Sequence, residues 1–220
     1  MRVVKQFFYN KKGHRNMKRK NLRLLTVVLA SLVLTTGMCA CGNNNTNDTQ
    51  SESGSQAVEK VDAADATDLL TKVWDTFDAE TEKFASFGGS VEAPVDGAPG
   101  KFAIDNADEL QRLLVFPADQ VKNIDDAASL VHMMNSNTFT GAVYHLADTS
   151  KQEELATALK DNIKANQWLC GSPERLTIWG VGDEYIVCVF GTEQNASVFK
   201  TRLEAVYEGA TVLADESLVQ

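Results

Sequence analysis

The chain has little of what builds specialised scaffolds. Four prolines and 14 glycines in 220 residues exclude a collagenous repeat, and four cysteines are too few for a disulfide framework. The apolar run Leu24 to Leu34 is eleven residues long, with only Thr26 and Ser31 polar, and falls short of the ~20 that a membrane-spanning helix needs. Against these shortages stands 44% hydrophobic content, enough for one well-packed domain rather than a wholly disordered chain.

Positive charge is scarce outside the first 40 residues. Nine of the 21 Lys and Arg lie there, with no Asp or Glu, so residues 41–220 hold 12 basic against 30 acidic residues, a net of −18. A body so acidic is repelled by phosphate backbones and anionic lipid headgroups, which excludes nucleic acid as a partner.

The basic start and the eleven-residue run read as an export signal over residues 1–40. Met17 opens a compact Met-Lys-Arg-Lys-Asn-Leu-Arg start immediately before it, which points to translation beginning there. The run leads into Thr36-Gly37-Met38-Cys39-Ala40-Cys41-Gly42, which resembles a bacterial lipoprotein signal, where a small residue precedes a cysteine that is acylated and becomes the new N-terminus. Cys41, behind Ala40, fits that role better than Cys39 behind Met38, although Met38 stands where such signals carry Leu or Val. The alternative is an ordinary secreted protein cut nearby. Residues 41–57, rich in Asn, Thr, Ser and Gln, predict a solvated tether spanning roughly 20 to 25 Å. The remainder, 58–220, reads as a single extracytoplasmic domain.

Apolar residues at helical spacing predict a helix from Ala63 to Phe84, capped by Asp65. Four glycines and two prolines make residues 86–101 a loop. Asn106 and Glu109 open a short helix carrying Leu110, Leu113 and Leu114, which Phe116-Pro117 ends. Val121, Ile124, Ala128 and Val131 then recur at three and four residues, a helical pattern running to about Asn135. Thr138 to Ala147 reads as a strand, and Ser150 with Glu153 as a capping box for a helix with Leu155, Leu159 and Ile163. Leu176 to Val181 and Glu184 to Phe190 form a hairpin about a two-residue turn at Gly182-Asp183, placing Trp179 against Ile186 and Thr177 against Cys188. Thr192 caps a helix with Phe199, Leu203 and Val206, and Ala210 to Ala214 is a last strand. The order strand, helix, strand, strand, helix, strand is that of the ferredoxin-like split βαβ unit, so the expected fold is α+β with N-terminal helices added. Both faces of the hairpin are apolar, which requires cover on the second face by those helices or by a partner subunit.

Few residues carry chemistry. Past the signal and the lipid-site Cys41, only His132, His145, Cys170 and Cys188 remain of their types, and their spacing matches no recognised metal motif, although copper favours such ligands with Met133 and Met134 nearby. Cys170 and Cys188 read as two small buried thiols; a disulfide would need the 170–175 segment to fold back. There is no Gly-x-Ser-x-Gly elbow, and Asp125-Asp126 reads as the solvated start of a helical face, as do Asp75, Asp78 and Glu82. The most specific feature is the loop Asp96-Gly97-Ala98-Pro99-Gly100, where glycines let backbone approach a ligand or partner and Asp96 supplies charge; a plain turn is the simpler reading. Asp96, Gly97, Pro99 and Gly100 are therefore the candidate ligand or partner residues, and no metal or other cofactor is expected.

Three stretches, Pro94-Val95-Asp96-Gly97-Ala98-Pro99-Gly100-Lys101-Phe102, Ile124 to Met134, and Gln167-Trp168-Leu169-Cys170-Gly171, resemble a group of small lipoproteins from Clostridia and related gut bacteria. Some members of that group are labelled bacteriocin transport accessory proteins, a label that implies no mechanism. The resemblance covers most of residues 65–215, implies an exported lipoprotein of a Gram-positive anaerobe, and supplies no catalytic residue.

The expectation is a domain anchored through lipid on Cys41 to the outer face of the cell membrane, non-catalytic, binding a partner protein or cell-envelope component. The alternative is a small-ligand or cation receptor accessory to a transporter, using the 86–101 loop and surplus carboxylates; an enzyme assembled from distant residues is a third. Translation from Met17 has a direct check: a precursor peptide containing Gln6 to Tyr9, found by mass spectrometry, would refute it.

Overall fold

The computed structural model describes residues 61–169 and 171–219. The signal, Cys41, the tether and Cys170 lie outside the described residues, so the expectation of two buried thiols can be followed at Cys188 alone.

Helix α1 spans Ala66–Asp75 and starts where its cap predicts, with the Asp65 carboxylate accepting the Asp68 N–H at 2.7 Å. It is shorter than the apolar periodicity implies. The Thr76 hydroxyl turns back to the Val73 carbonyl, and Asp78 gathers the N–H groups of Glu80 and Thr81, an alternative to helical bonding that ends the element. Phe77 and Phe84 still pack into the core below it.

The glycine-rich stretch is a folded sheet edge rather than a loop. Strands β1 (Ser86–Gly88), β2 (Val95–Asp96) and β3 (Gly100–Lys101) follow, β1 pairing with β2. Helix α2 (Ala107–Leu114) is capped by Asn106, which accepts the Glu109 N–H, and it ends at Val115 with a φ of 51°. The next segment corrects the helical expectation: after a short 3-10 turn at Ala118–Asn123, Ile124–His132 forms strand β4. It pairs with β1 and β3 on one side and with β5 (Phe139–Leu146) on the other. Residues 127–130 are all buried, as in a strand covered on both faces, and a short continuous run of that kind carries no period of its own.

Helix α3 (Gln152–Ala165) buries Leu155, Leu159 and Ile163. Ser150 is not its cap; the Ser150 N–H and hydroxyl both donate to Asp148, which closes a preceding 3-10 turn. Strands β6 (Arg175–Val181) and β7 (Tyr185–Gly191) form the expected hairpin, helix α4 (Glu193–Val206) is capped by Thr192, and β8 (Thr211–Ser217) ends the domain. The hairpin turn has three residues, not two, because Val181 pairs with Tyr185. Trp179 thus faces Val187 and Ile178 faces Cys188, one residue out of the expected register.

The antiparallel sheet runs β2-β1-β4-β5-β7-β6-β8, with β3 also on β4, and the fold is α+β. This order differs from the ferredoxin-like one, in which the last strand returns beside the first. Here β4 already occupies the place beside β5, so β8 lies at the far edge against β6. Both crossovers, β5-α3-β6 and β7-α4-β8, therefore advance two places in the same direction from antiparallel strands. With a common right-handed crossover their helices must fall on opposite faces. They do: α1 and α4 cover the face bearing Trp179, Val187 and Val189, while α2 and α3 cover Ile178, Ile186 and Cys188.

The sheet edge depends on two glycines for different reasons, close backbone approach at Gly88 and a left-handed φ at Gly97. A Cβ on Gly88 would lie 2.3 Å from the Gly100 nitrogen and 2.4 Å from the Ser129 carbonyl oxygen. Gly97 has open space around it but a φ of +69°. Gly88→Ala is therefore expected to cost ~3 kcal/mol or more through backbone collision, and Gly97→Ala only about 1–2 kcal/mol through left-handed strain. Urea unfolding of both variants checks the order; equal losses would contradict it.

Candidate functional site

The loop singled out in the sequence uses its own polar groups. The Gly97 carbonyl accepts the Trp74 indole N–H at 3.1 Å, and the Gly97 N–H donates to Ser86. Gly100 pairs with Ser129, Pro99 is buried, and Asp96 points to solvent. The structure thus brings Gly97, Pro99 and Gly100 together as packing for the sheet edge, with Asp96 alone on its surface.

The two histidines have separate surroundings. His132 lies on β4, not on a helix; its ring stacks on Phe84 with centroids 4.5 Å apart, and its Nδ1 accepts the Met134 N–H at 2.9 Å. Burial holds its imidazole below the ordinary value of 6.5. His145, on β5, has its Nδ1 2.5 Å from Oδ1 of Asp125, and its ring meets the Tyr185 edge. Asp125 sits at an irregularity in the β4–β5 pairing, and Asp126 beside it forms an ion pair with Lys101 at 3.0 Å and accepts the Ala66 N–H. The two aspartates are therefore ties between strands and α1, not a helical face.

Cys188 is enclosed on β7, and burial pushes its thiol far above the ordinary cysteine range. Among the described residues, no group of three or more His, Cys, Asp or Glu is placed to hold a metal ion, and no helix is long and apolar enough to cross a membrane.

Two depressions flank α2. One, of about 780 Å³, lies against its N-terminal end and is acidic, with Glu92, Asp105, Asp108 and Glu109 around Lys101. Glu109 is held there by the Val91 N–H. The other, of about 640 Å³, has a floor of Thr140 and Phe190 and walls from Leu113 and Val115 on one side and Trp168 and Leu169 on the other. Gln111, Arg112, Asn166 and Gln167 rim it, and Asp108 lines both depressions. Trp168 rests on Phe190 with centroids 5.5 Å apart.

This second groove belongs to one end of the sheet. There the β4–β5 connection meets the segment before β6, the Thr138 hydroxyl donating to the Gly171 carbonyl at 2.9 Å and Asn195 reaching Asn137. Met133, Met134 and Leu169 stand 53%, 57% and 98% exposed on these connections. Residues 133–138 and 166–173 contain no Asp, Glu, Lys or Arg, although residues 41–220 carry net −18. At the other end are the Gly182 turn, the start of α1 and the first described residues, Val61 sitting where a Cβ on Gly182 would meet its Cγ2 at 2.5 Å. Sequence reasoning passed over the uncharged end. Its signal was available as two charge-free stretches in an acidic chain, but nothing in the sequence showed that they meet.

The His132 environment generates a pH prediction. The unfolded imidazole takes up its proton as pH falls through about 6.5, whereas the buried ring resists protonation, so the folded state loses stability on acidification. This contribution is complete above 6.5 and declines below it. His132→Phe, which keeps the stack on Phe84, is expected to flatten that decline; urea midpoints above and below 6.5 test it, and an unchanged slope would remove His132 as its source.

No protein-family model, curated protein or solved structure matches the chain.

Proposed function

We propose that the protein is a membrane-tethered extracytoplasmic lipoprotein domain that is non-catalytic and holds a partner protein or cell-envelope component at the end of its sheet that bears Met133, Met134 and Leu169. The observation that carries this reading is the polarity of the fold. The first described residue, Val61, lies beside Gly182, and the connections bearing Met133, Met134 and Leu169 lie at the opposite ends of the strands. Nine residues of β4 separate the two, about 30 Å of extended chain. A tether from Cys41 would hold this domain near the outer face of the membrane, with the apolar end free to meet a partner.

The chemistry supports binding rather than turnover. The His132 imidazole accepts a backbone N–H and the Cys188 thiol is buried, so both are committed inside the fold. Exposed apolar side chains gathered on one surface and ringed by polar groups are the usual mark of an interaction site. The second reading, a cation receptor serving a transporter, is favoured by the acidic depression around Glu92, Asp105, Asp108 and Glu109. Lys101 opposes it by placing a positive charge at that same wall.

Both halves of the proposal have a readout in intact cells. Cys41→Ala is expected to abolish incorporation of labelled fatty acid and to release the chain from the membrane fraction. A photo-crosslinking residue in place of Leu169 is expected to give a discrete adduct, and the same residue in place of Asp183 to give none. Label retained in Cys41→Ala, or equal adducts from both ends, would overturn the corresponding half.

A further inference from the structure

The groove at this end of the sheet has a composition that narrows its ligand. Its floor and one wall pair an indole with a phenyl ring, Trp168 on Phe190. Around them stand three primary amides, Gln111, Asn166 and Gln167, and the Thr140 hydroxyl, with one charge of each sign, Asp108 and Arg112, at the α2 side. Amides and hydroxyls offer donors and acceptors together without charge. A pyranose is the ligand class with the matching pattern, since its hydroxyls also donate and accept while one face of its ring presents only C–H groups. We propose that this groove is a binding site for a neutral saccharide, with Trp168 as the platform for the sugar ring and Gln111, Asn166 and Gln167 as partners for its hydroxyls.

Two rival ligand classes fit less well. An anionic ligand would enter a body of net −18 to meet a single guanidinium on this rim, that of Arg112. A hydrocarbon ligand such as an acyl chain would strip water from the three amides and return no hydrogen bonds to them. A neutral glycan pays neither penalty. The assignment rests on the reading of this end as the docking end and names the envelope component it would hold.

The test uses the full chain in neutral detergent, titrated with short linear oligomers of N-acetylglucosamine, glucose or mannose. Trp74 and Trp179 are buried and Trp168 is half-buried, so Trp168 is the emitter of the three that solvent and a groove ligand reach. At least one oligomer is expected to change its emission saturably and to protect it from acrylamide quenching. By calorimetry, Trp168→Ala is expected to weaken that binding about 10-fold or more, as loss of an aromatic anchor does, while Glu92→Gln in the acidic depression leaves it unchanged. Retained emission from Trp74 and Trp179 shows that the variant is folded, and Gln167→Ala, which spares the platform, gives an independent loss. Absence of saturable binding by every oligomer, or binding that survives Trp168→Ala, would overturn the assignment. Cross-linking from position 169 separates the two claims. An adduct that persists in excess oligosaccharide keeps the docking end and removes the saccharide, whereas no adduct at all removes the docking end itself.

Discussion

Strands β5, β7 and β6 carry apolar side chains on both faces, and the architecture follows from the need to remove both from water. On one side lie Val143, Val187 and Trp179; on the other, Tyr144, Ile186 and Ile178. Each such side chain contributes roughly 1.5–3 kcal/mol when fully buried, so a bare face would forfeit a sum larger than the whole stability of a typical domain. A single layer of helices cannot satisfy that demand. The chain meets it by placing β4 beside β5, which sends β8 to the far edge and separates the two crossover helices onto opposite faces. Helices α1 and α2, contributed from before the sheet's centre, then complete one cover each.

Covering both faces leaves the strand ends as the surfaces that remain open to a ligand, and the two ends are finished differently. At the Gly182 end, Val61 packs against the turn, the Gln152 amide donates to the carbonyls of Gly182 and Tyr185, and Asp126 ties β4 to α1 and to Lys101. That end is knitted into the fold. At the other end, the connections are held by a few contacts such as Thr138 to Gly171 and Asn195 to Asn137, while methionine, leucine and amide groups project outward. The acidic charge of the domain stops short of these stretches.

Local signals in the sequence located most elements, because caps and helical stripes are short-range chemistry. Asp65, Asn106 and Thr192 cap the helices that their spacing implies, and Leu155, Leu159 and Ile163 face the core as expected. What misled was residue pattern where both faces are buried. Val121, Ile124, Ala128 and Val131 fell at helical intervals by coincidence in a strand that is apolar throughout, and the β6–β7 register could not be read because either pairing keeps both faces apolar. The ferredoxin-like order failed for a non-local reason: it took no account of β4. At the candidate site, glycines at 97 and 100 looked like room for a ligand, but the space they leave is filled by backbone or governed by φ. The groove was hidden because α2, β5, β7 and the segment before β6, far apart in sequence, build it together.

The placement of Val61 against Gly182 also fixes how the domain would bear load. A pull on the chain at residue 61, resisted by something held near Leu169, acts along the strands rather than across them. In that direction the cross-strand hydrogen bonds of β4, β5, β7 and β6 are sheared together instead of being unzipped one at a time. The same seven- to nine-residue strands that separate the two ends would therefore make the domain stiff along the axis that joins residue 61 to Leu169.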